Sequence, residues 1–170
     1  MIKIIKGNLL DSTEDIICHQ VNCQGVMGSG VAKAIREKWP VVYERYQRYC
    51  NIHTPRQIMG TVQYVEVGEG GRDPIIANMF SQNLYGYDGN RYTSYDLFYR
   101  CLEDIQYSPR DYSIAFPYKI GSDRGGASWN VIYAMICDVL GDRDVTIYKL
   151  DYAEEWVVSM RPTWTGRDTV

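Results

Sequence analysis

The sequence predicts an α/β fold with a mixed or mainly parallel sheet that is covered by helices on both faces. Two observations support this fold class. Short apolar runs typical of buried strands alternate along the chain with amphipathic runs of helical spacing. Glycine-rich segments follow two of the apolar runs and precede helical ones. Ligands bind beyond the carboxyl ends of the strands in such folds, so these segments are expected to border a binding site.

The individual elements follow from the same patterns. Strands are predicted at residues 2–6, 15–21, 58–67, 74–80, 113–116 and 145–150. Helices are predicted at residues 31–39 and 41–50, with Pro40 breaking or restarting the helical run. A third helix begins after Thr93 or Ser94, and a fourth carries Trp129 near its start. The 170 residues hold no repeat or linker, so one domain is predicted, with residues 151–170 as a C-terminal extension.

Composition and charge argue against several classes of function. A net charge of −3 disfavours a nucleic-acid binder that works by bulk electrostatics. The five cysteines form no CxxC pair, which disfavours a zinc site or a disulfide framework. No apolar run approaches the ~20 residues of a membrane span, and residues 1–7 are too short and polar for a signal peptide. We therefore expect a cytoplasmic protein with no membrane or nucleic-acid partner. We also expect no metal and no cofactor, and we favour a monomer while leaving the oligomeric state open.

The first glycine-rich loop spans residues 22–32 and contains Gly25, Gly28 and Gly30. Glycines between a strand and a helix let the backbone approach a ligand closely, and the helix start offers unpaired N–H groups to an anion. The loop lacks the Lys-Ser/Thr ending of a P-loop and the glycine spacing of a dinucleotide fingerprint. A flexible strand-to-helix turn explains the same glycines equally well, so glycine content leaves both interpretations open.

The second glycine-rich loop spans residues 120–126 and again joins a strand end to a helix start. Two loops of this kind at one sheet edge favour a single ligand whose phosphates lie between them. The alternative for its charged residues is that Asp123 and Arg124 form a solvated surface pair.

Three segments together resemble the signature segments of macro domains: Gly7-Asn8-Leu9-Leu10, Asn22 with residues 25–32, and residues 120–129. Asn78-Met79-Phe80-Ser81-Gln82, followed by Arg91-Tyr92-Thr93-Ser94-Tyr95, is similar to a bacterial and phage branch of that family. This branch lies near the yeast-type ADP-ribose 1''-phosphate phosphatase and the terminal ADP-ribose protein glycohydrolases. Order and spacing agree over roughly residues 1–150. The resemblance implies a three-layer α/β/α macro domain with a mixed central sheet.

The resemblance also implies a ligand, which is ADP-ribose or a phosphorylated or protein-linked derivative. Asn8 lies where many macro domains carry an aspartate that reads the adenine amino group, and Asn22 matches an asparagine that contacts the distal ribose. The first loop would wrap that ribose and the diphosphate, and backbone amides of the second loop would hold the phosphates. The implied ligand-binding residues are Asn8, Leu9, Asn22, Gly25, Met27, Gly28, Ser29, Gly30, Val31, Ile120, Gly121, Ser122, Asp123, Arg124, Gly125 and Gly126.

Removal of the phosphate of ADP-ribose 1''-phosphate is the activity that we predict. It depends mainly on positioning and preorganised amide donors, to which an acid–base group would add. His19 is one candidate, because its near-neutral pKa suits proton transfer and the yeast-type phosphatase carries histidine at the matching place. A structural histidine bonded within the core is the alternative for this strand position. Asp123, in the second loop, is the other candidate and would position water.

Two other activities share the same pocket. A non-catalytic reader of ADP-ribose, or a sponge for a NAD-derived nucleotide, needs the same loops and no acid–base residue. Protein ADP-ribosyl hydrolases of the neighbouring branch use a lysine, expected near Ser81 or Gln82, and an aspartate, expected at Gly125. Both are missing from this sequence, so the resemblance predicts that this hydrolase activity is absent.

Overall fold

The computed structural model describes residues 1–71 and 73–150, so the predicted extension at 151–170 lies outside the described residues. Six strands form one sheet: β1 (Ile2–Lys6), β2 (Ile16–Gln20), β3 (Val62–Glu66), β4 (Ile75–Met79), β5 (Ile114–Pro117) and β6 (Val145–Lys149). Their spatial order is β1-β6-β5-β2-β4-β3. All neighbouring strands are parallel except β3 and β4, which are antiparallel. The predicted mixed sheet is confirmed.

Five helices accompany the strands: α1 (Gly30–Lys38), α2 (Pro40–Ile52), α3 (Pro55–Ile58), α4 (Tyr95–Gln106) and α5 (Trp129–Leu140). The central strands β2, β4 and β5 are buried on both faces, and their successive side chains point to opposite sides of the sheet. In β2, Ile16 packs into an apolar core with α4 and α5, whereas Ile17 packs into a second core with α1 and α2. These two cores give the three α/β/α layers that were predicted.

The main difference from the predicted elements concerns residues 58–67. Ile58 belongs to the short helix α3, and the strand begins only at Val62. Thr54 and Gln57 form a capping box, and Pro55 occupies the first helical turn, where its missing N–H costs nothing. This local capping starts a helix where the apolar pattern alone favours a strand.

Two other boundaries show the effect of local chemistry. Pro40 restarts the helical run as predicted, and α2 then continues to Ile52. A short 3-10 helix at Leu9–Asp11, which the sequence pattern did not predict, is capped by the side chain of Asn8. Ser94 caps α4 by accepting a hydrogen bond from the amide of Leu97, as expected for this residue type.

The two ends of the sheet differ in how their polar groups are satisfied. At the end where β5 and β6 begin, the buried guanidinium of Arg143 donates to the backbone carbonyls of Gln106, the last residue of α4, and of Pro109, which follows it. The five cysteines are all free. Among the helices of the described residues, none has the length and hydropathy of a membrane span. At the opposite end of the sheet, the strands β2 and β5 finish and the two glycine-rich loops begin.

Candidate functional site

A cleft opens at the carboxyl ends of the parallel strands. It comprises a larger cavity of about 440 Å³ and a smaller one of about 80 Å³. Val31, Pro117, Tyr118 and Leu150 line both cavities, so the two adjoin. This is the edge at which the sequence places its glycine-rich loops, in keeping with the general position of ligand sites in α/β sheets.

Both glycine-rich loops border the larger cavity, and most of the residues implied by the resemblance lie in the cleft. Those that line the larger cavity are His19, Asn22, Gly28, Ser29, Gly30, Val31, Ile120, Gly121, Ser122, Asp123, Arg124 and Gly125. Asn8, Leu9 and again Val31 line the smaller cavity. The loops, which are a hundred residues apart in sequence, therefore face one space.

Three of the implied residues line neither cavity. Met27 is 1% exposed and packs in the core beneath α1 and α2. Gly25 is buried with a φ of +73°, a conformation that favours glycine, and packs beside Cys50. Gly126 has a φ of +67°, and a Cβ there would come within 2.8 Å of the Asn90 carbonyl oxygen. These residues shape the loops from behind the cleft.

The first loop is held by a buried side chain of α2. The Tyr46 hydroxyl contacts Asn22 twice, at the carbonyl oxygen and at Oδ1, each at 2.8 Å. It also accepts from the amide of Val26 at 3.1 Å. Asn22 braces the loop further, since its Nδ2 donates to the Val26 carbonyl and its Oδ1 accepts from the Gln24 amide. One N–H of the Asn22 amide remains to contact a ligand, because an amide NH₂ carries two donors.

The second loop is held by close backbone approach rather than by a long side chain. The amides of Tyr92 and Thr93 both donate to the Gly125 carbonyl at 2.9 Å. The Thr93 hydroxyl donates to the Gly121 carbonyl and accepts from Gln20 Nε2. A Cβ at Gly125 would come within 2.0 Å of Thr93 Oγ1, so no side chain fits at this position.

Backbone N–H groups of both loops are available to a ligand. Within residues 1–71 and 73–150, no hydrogen bond engages the amides of residues 28–30 or 123–125. The first group lies at the start of α1, where the helix dipole favours a negative charge. Two sets of unpaired amides, all on residues that line one cavity, are suited to a group with more than one phosphate.

Charged side chains border the same cavity. The Arg124 guanidinium lies over Tyr87 at 4.2 Å and near Tyr85 at 5.9 Å, and its Nε is buried without a partner. Lys119 has a φ of +60°, the single positive value among the described non-glycine residues. Such strained conformations concentrate at functional sites. Asp123 is exposed at the cavity, so its carboxylate is accessible to water and ligand.

His19 lies on β2 at the floor of the larger cavity and is 1% exposed. Burial lowers its pKa to about 4, and a hydrogen bond to Asn78 only partly opposes this. The Nε2 atom lies 2.5 Å from Asn78 Oδ1, whereas Nδ1 is buried without a partner. The imidazole is therefore neutral near pH 7 and is available there as an acceptor rather than as an acid.

The smaller cavity is lined mainly by apolar and aromatic side chains, including Leu9, Tyr118 and Tyr148. Asn8 supplies the polar group, and its Oδ1 already accepts from the Leu10 amide at 2.9 Å. Asn8 can still form hydrogen bonds with a ligand, through its Nδ2 donors and through the second lone pair of Oδ1. This lining is suited to a flat heteroaromatic ring with a polar edge.

Several residues of the site escape sequence reasoning. Tyr46, Thr93 and Gln20 hold the loops from other elements, and their contacts have no local signal. Tyr85 and Tyr118 were more accessible to prediction, because one lies in the polar loop at 82–91 and the other lies two residues before the start of the second glycine-rich loop. Among the residues that the structure describes, no group of three His, Cys, Asp or Glu could hold a metal ion.

Solved structures share this architecture. The macrodomain of Mycobacterium tuberculosis DarG is 24% identical, with a TM-score of 0.74 over 87% of this chain and 97% of that one. This chain has the macro-domain fold. The fold that the sequence resemblance implies is thereby confirmed. Thermosipho africanus DarTG in complex with ADP-ribose has the same fold at 19% identity, with a TM-score of 0.71 over 89% of this chain and 42% of that one.

Curated relatives of this macro domain carry enzyme names. An ADP-ribose 1''-phosphate phosphatase of Debaryomyces hansenii is 32% identical over 51% of this chain and 56% of its own length. A DNA ADP-ribosyl glycohydrolase of Mycobacterium tuberculosis is 25% identical over 100% of this chain and 49% of its own length. The chain thus spans about half the length of these relatives. No protein-family model matches the sequence.

Proposed function

We propose that this macro domain binds ADP-ribose and hydrolyses the phosphate of ADP-ribose 1''-phosphate. The observation that carries the proposal is the convergence of two sets of unpaired loop amides on one cavity, next to a smaller apolar cavity. The amides suit a diphosphate, and the smaller cavity suits an adenine ring. The relatives named as ADP-ribose 1''-phosphate phosphatases support the choice of reaction.

The ligand would lie along the cleft in one direction. With adenine in the smaller cavity near Asn8, the diphosphate reaches residues 28–30 and 123–125, and the distal ribose lies near Asn22. The 1''-phosphate then falls in the part of the larger cavity that His19 and Asp123 border. The remaining N–H of Asn22 would contact a ribose hydroxyl.

The reaction breaks the bond between phosphorus and the 1'' oxygen. Water attacks the phosphorus, the 1'' oxygen leaves with a proton and the products are ADP-ribose and inorganic phosphate. Loop amides hold the diphosphate and thereby position the 1''-phosphate for attack, and positioning is a large part of catalysis in phosphoryl transfer. Neutral His19 accepts a hydrogen bond from the water, and Asp123 orients it.

A second candidate is hydrolysis of ADP-ribose from an acceptor, because the similarity to DNA ADP-ribosyl glycohydrolases covers the whole chain. The site supports it less well. Ser81 and Gln82 are buried where a lysine is expected, and Ser81 Oγ donates to Gln20 Oε1 at 2.6 Å. Gly125 has no room for the expected aspartate. A reader or sponge without turnover is the third candidate, since the loop amides suffice for binding.

Binding and turnover are tested separately. Calorimetry and thermal unfolding with ADP-ribose should show binding, and ligand at a hundredfold above Kd should stabilise the fold by about 2.7 kcal/mol. Release of phosphate from ADP-ribose 1''-phosphate tests the reaction. Binding without phosphate release would favour the reader, and no stabilisation at millimolar ADP-ribose would refute the binding proposal. Release of ADP-ribose from a modified acceptor would favour the second candidate.

Two variants test the assigned roles. His19→Ala should lower kcat by roughly 10²–10⁴-fold with little change in KM, because the group acts mainly in the transition state. Asp123→Asn should also lower kcat, and the double variant should lose less than the product of the two losses if they act as a unit. Asp111→Asn, at an exposed position before β5, is the matched control and should keep full turnover.

A further inference from the structure

A row of three polar side chains crosses the sheet behind the first glycine-rich loop. His19 on β2 faces Asn78 on β4, and Asn78 faces Gln63 on β3. The row shares a sheet face with Ile17, Ile76 and Val65, on the side covered by α1 and α2, because side chains alternate along each strand. Asn78 is fully buried, so its hydrogen bonds are made within the protein.

The backbone carbonyl of Arg45, at the end of the row, fixes the direction of every hydrogen bond in it. Gln63 Nε2 lies 3.2 Å from the backbone carbonyl oxygen of Arg45, which can only accept. Gln63 Oε1 therefore faces Asn78 and accepts from its Nδ2 at 3.0 Å. Asn78 Oδ1 is left facing His19 Nε2 at 2.5 Å. If the Gln63 amide were reversed, its oxygen would face the carbonyl oxygen of Arg45. If the Asn78 amide were reversed, its oxygen would face Oε1 of Gln63.

We propose that Asn78 and Gln63 are positioning residues that hold His19 as the Nε2–H tautomer, with Nδ1 as a hydrogen-bond acceptor beside the ligand cavity. The amide oxygen of Asn78 can only accept, so Nε2 must carry the proton. A neutral imidazole has one ring proton, and Nδ1 therefore keeps a lone pair. The tautomer is set by partners up to two strands away rather than by the cavity itself.

Nδ1 is the atom that a ligand would use. It is buried and has no partner, although His19 lines the larger cavity. A buried acceptor without a partner is unfavourable, so we infer that a hydroxyl or water of the bound ligand donates to Nδ1 from the cavity that His19 lines. This role rests on the proposed function, in which Nδ1 accepts from the attacking water. The tautomer itself does not depend on that function.

The other histidine of the chain provides an internal comparison. His53 Nδ1 lies 3.0 Å from the backbone carbonyl oxygen of Tyr49, which can only accept. Neutral His53 is therefore the Nδ1–H tautomer, opposite to that of His19. The sequence contains only these two histidines. The His53→Gln variant therefore leaves only the His19 signals, and the signals that disappear belong to His53.

Long-range ¹H–¹⁵N correlation spectra of the uniformly ¹⁵N-labelled chain distinguish the protonated ring nitrogen from the unprotonated one. At about pH 8, where an ordinary imidazole is neutral, His19 should show a protonated Nε2 and His53 a protonated Nδ1. A protonated Nδ1 in His19, or averaging between its two forms, would overturn the inference. This measurement needs no substrate, so it stands whether or not the chain proves to be a phosphatase.

A variant at the far end of the row tests its cause. Gln63→Leu removes the acceptor that orients Asn78 but leaves both cavities untouched, so His19 should populate both tautomers. Tyr64→Phe, the next residue on β3, is the matched control, because the Tyr64 hydroxyl bonds only Asp104 at 2.7 Å. An unchanged His19 tautomer in Gln63→Leu would show that the row does not set it.

The kinetic consequence separates this inference from the proposed function. Gln63→Leu should lower kcat at least twofold, since roughly equal tautomer populations halve the competent fraction, and by no more than the loss in His19→Ala. KM should stay within about twofold. If the tautomer changes and kcat does not, Nδ1 does not accept from the attacking water, but the assignment of the tautomer still holds. If the wild type binds ADP-ribose without turnover, the ADP-ribose affinities of Gln63→Leu and of the wild type are compared instead of kcat.

Discussion

The two glycine-rich loops line the same cavity, but they are held in different ways. The first is fastened by the hydroxyl of Tyr46, which reaches it from α2 and contacts Asn22 and Val26. The second is fastened by backbone contacts around Gly125, whose carbonyl accepts from two amides of the segment before α4. The first loop depends on the hydroxyl of Tyr46, whereas the second depends on a position without a side chain, Gly125, packed beside the Thr93 hydroxyl.

This difference shows that glycine has a different meaning in the two loops. In the second loop, a Cβ at Gly125 or Gly126 would approach other atoms to 2.0 Å and 2.8 Å. In the first loop, a Cβ at Gly28 would meet only the Val26 side chain at an ordinary 3.6 Å. The two loops contain the same number of glycines, but Gly125 and Gly126 leave no room for a side chain, whereas Gly28 does. Alanine substitutions at Gly125 and Gly28 should therefore have different effects.

The largest effect is expected for Gly125→Ala. The new methyl would overlap Thr93 Oγ1, the Gly121 carbonyl oxygen and Gln20 Nε2, at 2.0, 2.5 and 2.8 Å. The second loop must then move away from the segment that holds it. We expect the free energy of unfolding to fall by about 3 kcal/mol or more and ADP-ribose binding to be lost, as measured by urea unfolding and calorimetry. Normal binding with normal stability would show that the contact around Gly125 is dispensable.

Acidification should act on the side of the first loop. His19 lies on the strand that leads into it, whereas the second loop is held by uncharged Gln20 and Thr93. The folded pKa of about 4 lies below the unfolded value of 6.5. The unfolded chain thus binds the proton first, and the stability conferred by neutral His19 is complete above about pH 6.5 and is lost as pH falls through 4. The loss is roughly 3 kcal/mol.

Urea unfolding between pH 7 and pH 4 measures this loss. His19→Gln should be less stable than the wild type at pH 7 but should show a shallower decline with acidification. If both proteins decline in parallel, His19 does not titrate with a lowered pKa.

Tyr46→Phe should have a smaller effect that is concentrated in binding. Loss of the hydroxyl leaves the Val26 amide and two oxygens of Asn22 without this partner, which costs about 2 kcal/mol of stability. ADP-ribose affinity should fall at least about tenfold, because binding must then order the first loop. Tyr43→Phe, one turn earlier on α2, loses only a bond to exposed Gln47 and serves as the control. Equal affinity in the two variants would argue against the Tyr46 contact.

The smallest effect is expected for Gly28→Ala. Its backbone conformation is not one that favours glycine, and the space around it is open. Stability should change by no more than about 0.5 kcal/mol, and ADP-ribose should still stabilise the fold in thermal unfolding. Destabilisation as large as that of Gly125→Ala would remove the contrast between the loops.

Prediction from sequence succeeded where the signal is local. Ser94 as a cap and Pro40 as a restart of the helical run depend on a few neighbouring residues, and each is confirmed. Local capping also explains why the strand predicted at residues 58–67 begins only at Val62, because the box formed by Thr54 and Gln57 places Ile58 in α3. The roles of the predicted ligand-binding residues stay predictions, although most of these residues line one cleft.

The sequence by itself determined the α/β layering, the macro-domain resemblance and the two glycine-rich loops, because periodicity, caps and glycine spacing are written into consecutive residues. Only the tertiary structure decided which atoms of those loops are free. Tyr46 comes from α2, Thr93 from the segment before α4, and Gln63 from an antiparallel edge strand. Hydrogen-bond direction and free volume depend on neighbours distant in sequence, so the state of His19 could be read only once the strands were placed side by side.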